Sequence, residues 1–415
     1  MTDATLRGVD RWLGVPGCVA LTLHRRLLRR HERSQSPRRL VFVKLAEQGS
    51  TVLAAPALER AAGQLGRENV FFLTCEENRF ILDVLGILPA ENVVTLDVRT
   101  PVTAASSLVA AVRRMHALSI DAAINLEFFA RSSAILAYLS GATLRVGLHS
   151  FAGEGAFCGD LLTHRLVYNP YLHTRELFLV MLDALRHDGG TFPALDTPRP
   201  PAPDPLRPYD PSEADRAAVR RLLREVTGLD DLPPLILLNA NCRDALPLRR
   251  WDPRRYVDLA RRLIAAVPDV HVIFTGAPAE AIEAESLGRA VSHPRCASLG
   301  GRTTVRQLLT LFGFAEVLVT NDSGPAHFAA LTPIDVVTLF GPETPTLFAA
   351  PTPRNHVIWA GLVCSPCVSA FNNRQSKCHD AVCMRRITVD EVFDTVLSIY
   401  RRRRSALPPS GPSRP

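Results

Sequence analysis

The run Val319-Thr320-Asn321-Asp322-Ser323-Gly324-Pro325-Ala326-His327 concentrates residues that could do chemistry. It reads as an apolar strand, a polar turn and the start of a helix. Asp322 or Ser323 is placed to cap that helix, and Pro325 suits its first turn, where a missing N–H costs nothing. Free backbone N–H groups and the positive end of the helix dipole would then face whatever lies beyond the strand, which suits a phosphate. His327, in the first turn, would donate to a phosphate oxygen. The same residues also fit an ordinary capped helix with a packed histidine.

A second constellation is made of cysteine. Cys364, Cys367, Cys378 and Cys383 are spaced C-x2-C-x10-C-x4-C. Two close pairs across a polar loop could supply four thiolates to a tetrahedral metal, zinc in the usual case or iron, with His379 as a substitute ligand. Such a closed shell would brace a loop, because it leaves no open position for catalysis. Buried thiols or disulfides are the other readings. Cys18, Cys75, Cys158, Cys242 and Cys296 are scattered, as in a reduced cytoplasmic protein.

These residues need a scaffold, and the chain alternates strand and helix twice over. Unbroken apolar strands begin at Leu40, Val70, Val93, Ala122 and Leu144, with helical stretches between them. A second series has strands at Leu235, Val270, Val317 and Val336. This rhythm predicts an α/β protein with two doubly wound parallel sheets, each covered on both faces, in tandem and facing a cleft, with ligand at the carboxyl ends of the strands. The expected divisions are a basic extension (1–38), an N-terminal domain (39–195), a Pro-rich linker (196–213), a C-terminal domain (214–387), a last helix (388–404) and a disordered tail (405–415). At 415 residues the chain is long enough for two domains.

No apolar run is long enough to span a bilayer, and no small-residue cleavage site follows Trp12–Leu23, so a cytoplasmic location is expected. The net charge of +7 is nearly all arginine, with lysine only at Lys44 and Lys377. Coding bias accounts for part of it. Two clusters stand out: Arg25, Arg26, Arg29, Arg30, Arg33, Arg38 and Arg39 before the first strand, and Arg401–Arg404 in the last helix. They fit either solvated tails or peripheral contact with the inner face of an anionic membrane carrying a lipid-linked acceptor. Nucleic acid is not expected, since no aromatic residues interleave with the charge.

The layout, together with Gly301-Arg302-Thr303, the Asn321–His327 turn and Leu339-Phe340-Gly341-Pro342, resembles glycosyltransferase family 9, the ADP-heptose heptosyltransferases and their relatives. The resemblance runs from about Leu40 to about Val396. It implies the GT-B fold, two Rossmann-like domains, with a nucleotide-sugar donor held mainly by the second and no catalytic metal. Asp322, Ser323, Gly324, Pro325 and His327 match the turn expected to hold the donor diphosphate. Asn241 and Cys242 follow a strand where relatives place small hydroxyl residues near phosphate. Arg249, in Arg249-Arg250-Trp251-Asp252, stands where the family often has lysine. Glu280, after Gly276, matches an acidic residue that contacts the nucleoside, although it also fits a helix N-terminal glutamate.

One departure concerns the base. In the heptosyltransferases the first strand leads to a Gly-Asp pair whose aspartate is the expected general base. This chain reads Glu47-Gln48-Gly49-Ser50. Gly49 is kept, but a serine hydroxyl is not basic enough near neutral pH. The replacement base is expected to be Glu127, at the end of a strand, or Glu47 in the same turn. Otherwise the reaction relies on diphosphate stabilisation alone, or the protein binds a nucleotide sugar without catalysis. Arg131 and His173 are further candidates to orient an acceptor. The expected activity is inverting transfer of a sugar, most simply heptose, from an ADP-sugar to a glycan or lipopolysaccharide-type hydroxyl. The alternatives are a non-catalytic nucleotide-sugar-binding or assembly protein and a nucleotide-sugar epimerase.

Overall fold

The computed structural model describes residues 8, 10–28, 36–187, 189, 206–242, 246–372 and 374–406. Most of the Pro-rich stretch and residues 407–415 of the expected tail lie outside them. Of the described residues, those before 206 form one unit together with Thr346–Phe348 and Val368–Ser376, and the remainder form a second.

In the first unit six strands make one parallel sheet: β1 Leu40–Val43, β2 Val70–Cys75, β3 Val93–Leu96, β4 Ala122–Asn125, β5 Leu144–Leu148 and β6 His164–Leu166. Their order is β3-β2-β1-β4-β5-β6. Every residue of β1, β2, β4 and β5 is buried, which is why these strands read as continuous apolar runs and not as alternating ones. Register is set by pairs such as Phe42 with Phe72 and Phe42 with Ile124.

The second unit repeats the plan with β7 Leu235–Asn239, β8 His271–Phe274, β9 Cys296–Ser298, β10 Val317–Asn321, β11 Asp335–Phe340 and β12 Asn355–Trp359. The order β12-β11-β10-β7-β8-β9 is the same winding as in the first sheet. The strand order therefore reverses between β1 and β4 in one unit and between β7 and β10 in the other. Ligands of open parallel sheets bind at such switch points. The helices Pro253–Ala266, Ala281–Val291 and Val389–Ala406 cover the second sheet, with Leu263, Leu287 and Val396 in one core. Trp251 is fully buried there and donates through Nε1 to the Ile387 carbonyl at 2.9 Å.

Three sequence expectations change. The helical stretch expected between the strands at Leu40 and Val70 is two helices, Gln48–Leu53 and Ala55–Leu65, broken ahead of Pro56. The stretch read as a basic extension contains a helix, Gly14–Leu28, packed on the first unit. The arginines closing the last helix are engaged in ion pairs: Arg402 and Arg403 reach Asp335 at 3.1 and 2.8 Å, and Arg403 reaches Glu316 at 2.9 Å.

Candidate active site

In the second unit the turn after β10 was expected to carry a capped helix. The helix is Gly324–Ala329, only six residues, and neither Asp322 nor Ser323 caps it. The Ser323 hydroxyl instead donates to the Asn321 carbonyl at 3.2 Å, and Asp322 turns to Arg249, 3.5 Å away. Both members of that pair are nearly inaccessible. Burial pushes the Asp322 carboxyl up, against the pull of Arg249. Glu343, in the loop after β11, is also buried; burial first and the Asp322 charge second push it up to about 8, again opposed by Arg249. Two acids and one guanidinium thus share a dry site where one acid holds a proton at neutral pH. His327 is buried within the short helix.

Asn321 organises the surrounding backbone. Its Oδ1 accepts from Trp251 N at 3.0 Å and Tyr256 Oη at 3.2 Å, and its Nδ2 donates to the Ala240 and Asn241 carbonyls at 3.1 and 3.3 Å. This one side chain pins the end of β7 to the turn bearing Arg249. Next to it, Asn241 is buried with neither end of its amide bonded among the described residues, and the Arg249 Nε is likewise unbonded. A Cβ on Gly276 would lie 2.8 Å from Asn241 Nδ2 and 3.4 Å from Glu280 Oε2. Asn241, Gly276 and Glu280 therefore adjoin one another. Glu280 accepts from Ala277 N at 2.7 Å, the helix-entry role weighed as its ordinary one. Pro325 follows Gly324 in the first helical turn. Arg302 pairs with Glu225 at 2.6 Å.

In the first unit the loop after β1 gathers four charged groups. Lys44 is completely buried, and its Nζ lies 2.9 Å from Glu127 Oε2 and 3.5 Å from Glu47 Oε2. Glu127 Oε1 accepts from the Leu45 and Ala46 N–H groups at 2.7 and 2.9 Å. Both of its oxygens hold the loop in place, which argues against Glu127 as the base. Glu47 differs. Its backbone is left-handed (φ 68°), its side chain is partly exposed, and its second oxygen pairs with Arg374. The Ser50 hydroxyl has one proton for two acceptors on Glu47, the main-chain carbonyl at 2.9 Å and Oε2 at 3.2 Å, so the Glu47 carboxylate stands beside the hydroxyl at the position where the resemblance implies an aspartate. Gly49 and Ser50 lie in the helix Gln48–Leu53 of the first unit; the other donor candidates belong to the second unit. His173 caps the helix Thr174–Asp183 by accepting from Arg175 N at 3.2 Å, and Arg131 pairs with Asp10 at 3.4 Å. Both therefore have structural partners.

Among the described residues no three His, Cys, Asp or Glu side chains gather to hold an ion. Cys364 is exposed and Cys378 Sγ accepts from Ala381 N at 3.4 Å, while Cys383 sits in the core, where burial first and the neighbouring Cys367 and Cys378 thiols after it raise its pKa.

The model of glycosyltransferase family 9 (heptosyltransferase) matches residues 109–377. The chain belongs to glycosyltransferase family 9. A lipooligosaccharide heptosyltransferase 2 of Haemophilus ducreyi is 29% identical over 217 residues, 50% of this chain and 57% of that one. A lipopolysaccharide heptosyltransferase 2 of Salmonella typhimurium is 35% identical over 101 residues, 24% of this chain and 29% of that one. The matched part is thus less than two thirds of either curated relative. The solved ADP-heptose lipopolysaccharide heptosyltransferase II of E. coli aligns with TM-score 0.65 at 17% identity, covering 88% of this chain and 99% of the other. A family 9 glycosyl transferase from Veillonella parvula aligns at 0.66, 19%, 88% and 97%. These two structures share the GT-B fold of this family 9 chain.

Sequence reasoning missed Glu343, Lys44 and Arg374 as parts of the two sites, and gave Asn321 no role of its own within its turn. Lys44 had a signal, being one of two lysines in an arginine-rich chain and placed at a strand end. Arg374 had none, because its partner Glu47 lies 327 residues away.

Proposed function

We propose that this chain is an inverting glycosyltransferase that moves a sugar, most simply heptose, from an ADP-sugar to a hydroxyl of a lipopolysaccharide-type or other glycan acceptor. The observation that carries the donor half is the buried amide of Asn241 against Gly276, unbonded among the described residues. A buried amide without partners costs about 1–3 kcal/mol per group, and a bound nucleotide would supply the missing bonds. Arg249 and the N–H groups of the Ser323-Gly324 turn, which no side chain caps, supply positive potential for a leaving diphosphate. Glu343 in its protonated form keeps that diphosphate from facing two buried negative charges.

Glu47 is the base in this reading. It takes the proton of the acceptor hydroxyl as that oxygen attacks the anomeric carbon and the bond to the diphosphate breaks. Arg374 holds one of its oxygens and Ser50 orients the other. Glu127 and Lys44 fix the loop. The nearness of a carboxylate to Ser50 favours catalysis over a purely binding role. No step requires a metal ion. The matching activity in the named heptosyltransferases and the family membership support the choice of donor; the acceptor is proposed on the relatives' names alone.

The test is a melting-temperature panel with ADP, UDP and GDP, followed by transfer from ADP-heptose to purified lipopolysaccharide core. A selective rise with ADP and measurable transfer are expected. A selective response to UDP or GDP would overturn the donor, and ADP binding without transfer would overturn catalysis.

A further inference from the structure

The helix Gly14–Leu28 has two contrasting faces. Its inner face meets the helix Arg131–Leu139 closely: a Cβ at Gly14 would lie 2.8 Å from the Arg131 Cβ, and one at Gly17 3.0 Å from Ile135 Cδ1. Cys18 on the same face is fully buried, the Thr22 hydroxyl accepts from Asp160 N at 2.9 Å, and Arg25 pairs with Asp160 at 2.9 Å. The helix is therefore docked, and its orientation is fixed.

The outer face is apolar and uncovered. Val15, Val19, Leu23 and Leu27 recur every fourth residue on one side, and Trp12 and Leu13 extend them at the start. Trp12 is 76% exposed, Leu23 55% and Leu27 81%. A stripe of this kind on a folded domain marks an interaction surface. Charge narrows the occupant. No acidic residue occurs between Asp10 and Glu32, while Arg11 and Arg26 are exposed beside the stripe and Arg29 and Arg30 follow in the sequence. Pairing this face with a second copy of itself would bring like charges together. At 15 residues the helix is about 22 Å long, short of the roughly 30 Å hydrocarbon core. No helix among the described residues is long and apolar enough to cross a membrane.

We infer that the Gly14–Leu28 helix lies in the plane of an anionic lipid bilayer, with Trp12, Val19, Leu23 and Leu27 inserted at the acyl boundary and the flanking arginines at the headgroups. Asp10, just ahead of this helix, accepts from Ser132 N at 2.7 Å at the start of Arg131–Leu139, the helix that follows the Glu127 turn. Lipid contact through this face therefore brings the bilayer to the helix that follows the Glu127 turn, on the unit that carries Glu47, where a lipid-anchored acceptor would arrive.

The test uses the full chain without any sugar nucleotide, so that its outcome is independent of the donor assignment. Co-sedimentation is compared between vesicles of phosphatidylethanolamine with phosphatidylglycerol and vesicles of phosphatidylcholine alone. The wild-type chain is expected to sediment with the anionic vesicles and to show a blue-shifted tryptophan emission. A triple variant, Trp12→Ser with Leu23→Ser and Leu27→Ser, is expected to lose at least about tenfold in partitioning, as each change removes several buried methylenes. Its melting temperature should be unchanged, since these side chains touch solvent. A second variant, Arg11→Glu with Arg26→Glu, should lose the preference for anionic lipid. Wild-type protein left in the supernatant, equal binding to both lipids, or a triple variant that sediments like wild type would overturn the inference. So would a wild-type dimer that the triple variant converts to monomer, because a second copy would then cover the face.

Discussion

Replacing Glu343 with Gln tests the acid pair most directly. Below pH 4.5 Glu343 is protonated in both folded and unfolded chains, so its titration contributes nothing to stability. As pH rises from 4.5, the unfolded chain releases the proton while the folded chain keeps it until about 8. Unfolding then releases a proton, and stability falls as pH rises through that window. The slope for one group is about 1.4 kcal/mol per pH unit. Over a window of that width the ceiling is about 5 kcal/mol, all of it lost above pH 8. Glu343→Gln keeps the size and the neutral form, so it removes the slope. The two proteins should melt alike near pH 4.5, and the variant should be the more stable by pH 8.5. The assay is the melting temperature of both proteins from pH 4.5 to 9. A companion arm measures ADP affinity: in the wild type it should weaken above pH 8, and in the variant it should not. Parallel melting profiles across the whole range would refute the reasoning, since they would mean that Glu343 is already ionised in the folded chain.

The other expectations concern the loop after β1 and the residues around Asn321. Glu47→Gln should lower kcat about 10²–10⁴-fold while leaving ADP affinity unchanged, as removal of a general base does; steady-state kinetics with ADP titration separates the two. Glu127→Gln should act on stability instead, by about 3–5 kcal/mol, because it leaves the buried Lys44 charge without its nearest partner; denaturant unfolding reads it. Asn321→Ala should cost about 3–5 kcal/mol by leaving several buried groups unbonded, with loss of ADP binding at temperatures where the variant stays folded. Gly276→Ala should weaken ADP binding severalfold with little change in melting temperature, since the added Cβ meets the Asn241 amide; calorimetry with ADP checks it.

The sheets were legible because parallel strands buried on both faces leave long apolar runs. Leu40–Val43, Val317–Asn321 and Asp335–Phe340 all carry that mark. The short edge strands His164–Leu166 and Cys296–Ser298 carry none, and they were missed. The Gly14–Leu28 helix was passed over because Gly14, Pro16 and Gly17 weaken its pattern, yet Gly14 and Gly17 are what allow its close docking. The fold brings Cys367 and Cys378 within electrostatic reach of Cys383, with Cys383 turned into the core, which spacing along a chain does not record. Residues such as Asn321 and Glu343 act through partners brought by different strands, which no local pattern records.

If Glu47 is the base, as proposed, the loop after β1 departs from the residues the resemblance implies without losing their chemistry. A base needs a carboxylate at a place, and the place is defined in space, not in sequence. Ser50 lies in the first turn of the helix that Glu47 precedes, with the serine hydroxyl 2.9 Å from the Glu47 carbonyl and 3.2 Å from its carboxylate. The left-handed backbone at Glu47 is a strained choice for a non-glycine residue, of order 1–3 kcal/mol, and such strain persists where the surroundings over-determine it. Here Lys44, Ser50 and Arg374 do so from three directions. Arg374 comes from a distant stretch of sequence that folds into the first unit. Ser50→Ala should therefore lower kcat only modestly, and Arg374→Ala more, because the first loses one hydrogen bond and the second frees the carboxylate to move. Equal and severe losses would point to Ser50 itself, and not Glu47, as the group that meets the acceptor.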